Sequence, residues 1–110
     1  EKGATMRAHS FVVLLSLVAS SALAQQPDLA TGKRIAEQDC ASCHSIQATV
    51  PKSPVAQAPT FEAIAALPST NELSLRVFLR TSHAGMPNIM LKPEEIDPLI
   101  AYIVSLKPPR

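Results

Sequence analysis

Aromatic residues are scarce in this chain of 110 residues, which has no tryptophan, one tyrosine and three phenylalanines. Basic and acidic residues nearly balance, with ten Lys and Arg against nine Asp and Glu, and no basic stripe is present. The sequence therefore gives no support for nucleic-acid binding. A domain this short and this poor in aromatic residues buries a core of marginal size. We expect something besides side chains to fill its centre.

The longest apolar run lies near the start of the chain, at residues 11–23 (FVVLLSLVASSAL). It follows a positively charged segment and ends in an A-x-A pattern, which predicts a secretory signal peptide over residues 6–24, with residues 1–5 upstream of the start. The alternative is a retained membrane anchor, but a spanning helix needs about 20 apolar residues. We therefore expect residues 25–110 to form one soluble domain that is exported to the periplasm.

The alternation typical of strands is also absent, and the chain shows the spacing of helices instead. One helix is predicted from Asp28 to the Cys40 region and a short helical turn over residues 60–66. A third helix is predicted to begin at a Ser69–Glu72 capping box and to continue to about Ser82. Between the first two helices, residues 45–59 hold three prolines and are predicted to be irregular.

The last helix has the clearest pattern. A first-turn proline, Pro93, is followed by acidic residues that suit the positive end of a helix, and Pro108 ends the segment. The apolar residues of its predicted face recur at helical spacing: Ile96, Leu99, Ile100, Ile103 and Val104. The fold class is therefore all-α, with three to five short helices.

The only two cysteines stand in the motif Cys40-Ala41-Ser42-Cys43-His44. C-x-x-C-H is the attachment signature for c-type haem. Two thiols three residues apart on one helical turn can reach the two vinyl groups on one edge of a porphyrin, and the adjacent imidazole then faces the iron. The motif predicts one covalent haem, bound through Cys40 and Cys43 with His44 as an axial ligand, which would also fill the centre of the domain.

Three other uses of the cysteines are open alternatives. A redox disulfide of the thioredoxin type follows a strand in a βαβ unit, and a structural disulfide across so short a loop stabilises little. Zinc needs four ligands, so Cys40, Cys43 and His44 would require a fourth, for which His83 is the candidate.

The second axial ligand decides whether such a haem is closed or open to small molecules. Met86 is the favoured candidate, because it lies in a Gly-Met-Pro loop and a His/Met pair is found in cytochromes c. Met90 is predicted to be a core residue and His83 a polar loop residue, although both remain possible ligands. We expect an apolar slot bordered by Cys43, His44, Phe61 and Met86, and by the apolar face of the helix at Leu73–Leu79.

With these motifs in place, nearly all of the predicted mature chain resembles the class I cytochrome c family, in its short bacterial members with a single haem. The resemblance implies that the first and last helices cross at Gly32 and Tyr102, with Ala36 and Leu99 beside them. It also implies that a proline carbonyl accepts the proton of the His44 ring. Pro54 is the best match for this proline, with Pro51 or Pro59 as alternatives.

The resemblance implies an electron carrier rather than an enzyme. Its haem c iron would exchange single electrons with redox partner proteins through transient docking, and the protein would be a monomer. The alternative function is a haem-based ligand sensor or a peroxidase-like protein with an open distal site. The sequence names neither the electron donor nor the acceptor.

Overall fold

The computed structural model describes Gly3, residues 28–82 and residues 84–109. The predicted signal peptide, residues 6–24, lies outside the described residues. Within them the chain forms four helices and no strand, which confirms the all-α prediction. The helices, in chain order, are α1 (Leu29–Asp39), α2 (Phe61–Ala66), α3 (Glu72–Leu79) and α4 (Pro93–Ser105).

Local capping fixes where three of the helices begin. The Asp28 side chain accepts the Ala30 N–H at the start of α1, and Thr60 accepts the Ala63 N–H at the start of α2. At the start of α4 the Glu95 carboxylate accepts the Lys92 N–H at 2.8 Å. Each of these bonds satisfies a backbone donor that has no partner within its helix.

The predicted start of α3 is wrong by two residues. Asn71, not Ser69, is the N-cap, and its side chain accepts the Ser74 N–H at 2.9 Å while the Ser74 hydroxyl accepts the Asn71 N–H at 2.9 Å. The Ser74 hydroxyl also lies 3.0 Å from the Ser69 carbonyl oxygen, so Ser69 serves the cap through its backbone. The helix ends at Leu79, three residues before the predicted end.

The apolar face of α3 also differs from the prediction. Leu75 is buried, whereas Leu73 and Val77 are 71% and 57% exposed. Apolar residues occupy five of the eight positions of this helix, so its periodicity does not distinguish one face from the other. Phe78 and Leu79 share the inner face with Leu75, as the i, i+3, i+4 spacing requires.

The core is built around α4, which packs against the other three helices. Its buried residues are Ile96, Leu99, Ile100, Tyr102 and Ile103, so four of the five predicted positions are buried and Val104 is half-buried. From α1 the core receives Ile35 and Ala36, both at most 1% exposed.

The crossing of α1 and α4 depends on Gly32. A Cβ atom at this position would lie 2.7 Å from the Tyr102 Cβ and 2.7 Å from the Pro98 carbonyl carbon, closer than side-chain atoms can approach. Only glycine allows the two helix backbones to come this close. The crossing at Gly32 and Tyr102 is therefore present, and Ala36 and Leu99 are fully buried beside it.

Candidate functional site

A cavity of about 620 Å³ lies between α2, α3 and the inner face of α4. Its volume falls in the usual range for cofactor sites. The wall is largely apolar, and among the described residues no Lys, Arg, Asp or Glu lines it. The apolar wall includes Val55, Ile64, Leu67, Leu75, Phe78, Leu79, Leu99 and Ile103.

The Cys40–His44 motif forms one turn at the end of α1. The His44 and Cys43 N–H groups both donate to the Cys40 carbonyl oxygen, at 2.9 Å and 3.1 Å. This turn brings both thiols and the imidazole to the cavity wall. Burial, aided by the negative charge of Asp39, raises the pKa of the Cys40 thiol to about 11. No disulfide joins Cys40 to Cys43 in the structure.

Two contacts hold the His44 ring. Its Nδ1 lies 2.6 Å from the Pro59 carbonyl oxygen, and its centroid lies 5.7 Å from that of the Phe61 ring. A carbonyl oxygen can only accept, so the hydrogen bond places the ring proton on Nδ1 and leaves the Nε2 lone pair available to a metal.

The prediction that Pro54 is the partner of this imidazole is therefore wrong, and the alternative, Pro59, makes the contact. Pro54 is exposed in the irregular loop. Pro59 immediately precedes the N-cap of α2, and the Phe61 N–H donates to the Ser45 carbonyl oxygen at 2.9 Å, which draws the start of α2 to the segment after His44.

Of the two methionines considered as ligands, only Met86 lines the cavity. It follows Gly85, whose φ of +83° lies in the region that favours glycine, so the turn into Met86 depends on that residue. The prediction that Met90 is a core residue is wrong: it is 83% exposed, and its sulfur lies 3.8 Å from the Asn88 side-chain amide. His83 lies outside the described residues.

The residues at the cavity fit a covalent haem. The two thiols suit attachment at the edge of the macrocycle, and the imidazole and the thioether suit its iron. The apolar walls, which have no charged residue among those described, suit its faces. The predicted slot is present with Cys43, His44, Phe61 and Met86 on its walls, although Leu73 and Val77 do not contribute to it. Within the described part of the chain, no group of three or more His, Cys, Asp or Glu residues is arranged to hold a metal ion.

One contact near the site was missed by sequence reasoning. The buried Tyr102 hydroxyl donates to the Ile46 carbonyl oxygen at 2.9 Å, which ties α4 to the segment that follows His44. Burial, with a smaller effect of the Glu37 charge, raises the pKa of Tyr102. Nothing local to Tyr102 in the sequence indicates this bond, because its partner is a backbone atom far along the chain.

The four helices, the attachment turn and the apolar cavity define a small haem-binding protein. The cytochrome c family matches residues 29–107, so the chain belongs to that family, and it is a haem electron carrier with covalently bound haem c. A relative, cytochrome c-552 of Bradyrhizobium diazoefficiens, is 33% identical over 96 residues, which cover 87% of this chain and 91% of the relative. No solved structure gives a significant match. The family match and the relative confirm the predicted all-α class I cytochrome c fold.

Proposed function

We propose that this protein is a soluble carrier of single electrons in the periplasm, with His44 and Met86 as the two axial ligands of its haem c. Cys40 and Cys43 would supply the two thioether attachments. The observation that carries the proposal is the 2.6 Å contact between His44 Nδ1 and the Pro59 carbonyl oxygen, at a cavity that Met86 also lines. That contact holds a proton on Nδ1, so Nε2 is the ring nitrogen that can bind iron.

The iron of the bound haem supplies reversible one-electron chemistry, and the residues of the chain control its conditions. His44 is held by Pro59, so the ring does not need to reorient between the oxidised and reduced states. Met86 is a soft donor that favours the reduced iron and raises the reduction potential. The largely apolar wall, without charged residues among those described, would limit the access of water to the iron. If His44 and Met86 both bind the iron, no coordination position would remain for a substrate, which fits a carrier and not an enzyme.

The partners of the carrier would be redox proteins that dock transiently to a monomer. Among the described residues, no helix is long and apolar enough to cross a membrane. The signal-peptide pattern at residues 6–24 supports export. Intact-mass measurement of the native protein should give residues 25–110 plus one haem. A mass that retains residues 6–24 would contradict the soluble periplasmic form.

Replacement of Met86 by Ala tests the proposed ligand set. Haem attachment should persist because both cysteines remain, while the methionine-to-iron charge-transfer band of the oxidised protein should disappear and the reduction potential should fall. Met90→Ala is the matched control, since it removes the same side chain at a position 83% exposed. It should leave the band and the potential unchanged.

Each other outcome assigns a different ligand. Loss of the band in Met90→Ala and not in Met86→Ala would identify Met90. A band that survives in both single variants would mean that either methionine can bind the iron, and a wild-type protein without any such band would favour His83 or an open distal site. An open site would support the sensor or peroxidase-like alternative, which binding of carbon monoxide to the wild-type reduced protein would detect.

A further inference from the structure

Ser45, which directly follows His44, is buried at 5% exposure. All three of its polar groups are bonded. Its N–H donates to the Ser53 hydroxyl oxygen at 2.9 Å, and its own hydroxyl donates to the Val50 carbonyl oxygen at 2.6 Å. Its carbonyl oxygen accepts the Phe61 N–H at 2.9 Å. A buried polar network that is fully satisfied fixes one local geometry.

The bond from the Phe61 N–H to the Ser45 carbonyl oxygen also helps to place Pro59, which holds the His44 imidazole. The chain leaves His44 through Ser45, crosses to Phe61 by that hydrogen bond, and returns through residue 60 to Pro59, whose carbonyl oxygen accepts from the His44 ring. Two hydrogen bonds thus close a ring that contains residues 44, 45, 59, 60 and 61. The position of the Pro59 oxygen relative to the imidazole therefore depends on where the Ser45 backbone lies.

Ser53 holds the other side of Ser45. Its hydroxyl is the acceptor for the Ser45 N–H, and two residues later the Val55 N–H donates to the Cys43 carbonyl oxygen at 3.2 Å. The irregular loop is thereby folded back on both residues that flank His44. Without the Ser53 hydroxyl, the buried Ser45 N–H would lose its partner, and moving the backbone to satisfy it would shift the ring described above.

We propose that Ser45 and Ser53 are positioning residues for the proximal imidazole, which set the strength of the hydrogen bond from His44 to Pro59 and through it the reduction potential. The inference rests on the proposed role of His44 as an axial ligand. A firm acceptor at Nδ1 raises the basicity of the ligating nitrogen, and a more basic ligand favours the oxidised iron. Loosening either serine should therefore raise the reduction potential.

The test uses the holoprotein with ¹⁵N-labelled histidine, in the variants Ser45→Ala, Ser53→Ala and Ser53→Thr. In the reduced state, exchange of the His44 Nδ1 proton with solvent should be about fivefold or more faster in both alanine variants, which is the scale of one hydrogen bond. The reduction potential should rise in the same two variants. Ser53→Thr keeps the hydroxyl and should restore both values toward those of the wild type.

Ser105→Ala is the control for general destabilisation. The Ser105 hydroxyl also donates to a backbone carbonyl oxygen at 2.6 Å, that of Tyr102, and it is not on the cavity wall. This variant should change the unfolding midpoint without changing proton exchange at His44 or the potential. Unchanged exchange and potential in both alanine variants of Ser45 and Ser53, or equal changes in Ser105→Ala, would overturn the inference.

The wild-type spectrum separates this inference from the proposed function. If the His44 ring nitrogens show the shifts of a free imidazole, the proposed ligation itself fails. If they show a bound Nε2 and a protonated Nδ1, while the serine variants change neither readout, only the positioning role fails.

Discussion

Substitution of Gly32 by Ala sets two effects of opposite sign against each other. Alanine is the better helix former, and at an exposed position in the interior of a helix it would stabilise by about 1 kcal/mol. At Gly32, however, the new methyl group would lie 2.7 Å from the Tyr102 Cβ and from the Pro98 carbonyl carbon. Carbon atoms pack best about 3.5–4.0 Å apart, so α1 and α4 would have to separate by roughly 1 Å.

Neither neighbour can move aside alone, because one is a backbone atom and the other is the first atom of a side chain. The separation would loosen the contacts of Ile35, Ala36 and Leu99, which are at most 1% exposed. Overpacking of this kind costs about 1–3 kcal/mol, and a backbone displacement belongs at the upper end of that range. After the gain in helix propensity, the expected net loss is about 1–2 kcal/mol.

Guanidinium unfolding of the holoprotein, followed by far-ultraviolet circular dichroism, measures this loss. The midpoint should fall while the slope stays unchanged, since the surface exposed on unfolding is nearly the same. Lys33→Ala is the control on the exposed side of the same helix, and it should change stability by no more than about 0.5 kcal/mol. A Gly32→Ala protein as stable as the wild type, or more stable, would refute the argument that close approach of the helices requires glycine.

Three further outcomes are expected. Tyr102→Phe should cost about 1–2 kcal/mol, because it leaves the buried Ile46 carbonyl oxygen without its donor; a loss below the error of denaturant titration would contradict this. Because the pKa of Tyr102 is raised in the folded state, first by burial and then by the Glu37 charge, the tyrosine of the unfolded chain ionises first. The stability that Tyr102 contributes is therefore intact below the pKa of the unfolded chain, about 10, and is lost as pH rises through the higher pKa of the folded state. Denaturant titrations at alkaline pH should show this loss in the wild type and less of it in Tyr102→Phe. An equal loss in both proteins would count against this reasoning. Asp97→Asn breaks the ion pair with Arg76; the Asp97 side chain is 58% exposed and the Arg76 side chain 36%. The substitution should change the free energy of unfolding by less than about 1 kcal/mol, and the difference should shrink in high salt. A larger effect, or one that does not depend on salt, would show that the pair is not a surface pair.

Helix positions were predictable because their signals are local. Asp28, Thr60 and Pro93 each act within the first turn of the helix that they begin. The prediction of where α3 begins was wrong because two local signals compete. Ser69 and Asn71 both have a possible capping partner three residues later, and the spacing alone cannot rank them.

Among the cavity residues, too, those related by local sequence were predictable and those related by distant contacts were not. Cys40, Cys43 and His44 could be identified because their relation is one helical turn, and a turn is fixed by the sequence itself. The identity of Pro59 was not predictable, because its carbonyl oxygen meets a ring fifteen residues earlier through the path of an irregular loop. The exposure of Met90 was missed because a methionine beside a leucine reads as core by composition.

The scarcity of aromatic residues has its counterpart in the structure. Phe61 and Phe78 line the cavity, and Tyr102 lies at the crossing of α1 and α4. The cavity has apolar walls contributed by three helices. Phe78 and Leu67, which line it, are 46% and 52% exposed, and a large apolar group bound in the cavity would cover part of this surface. The haem is therefore part of the hydrophobic core as well as the redox centre, and residues that orient it also complete the packing of the fold.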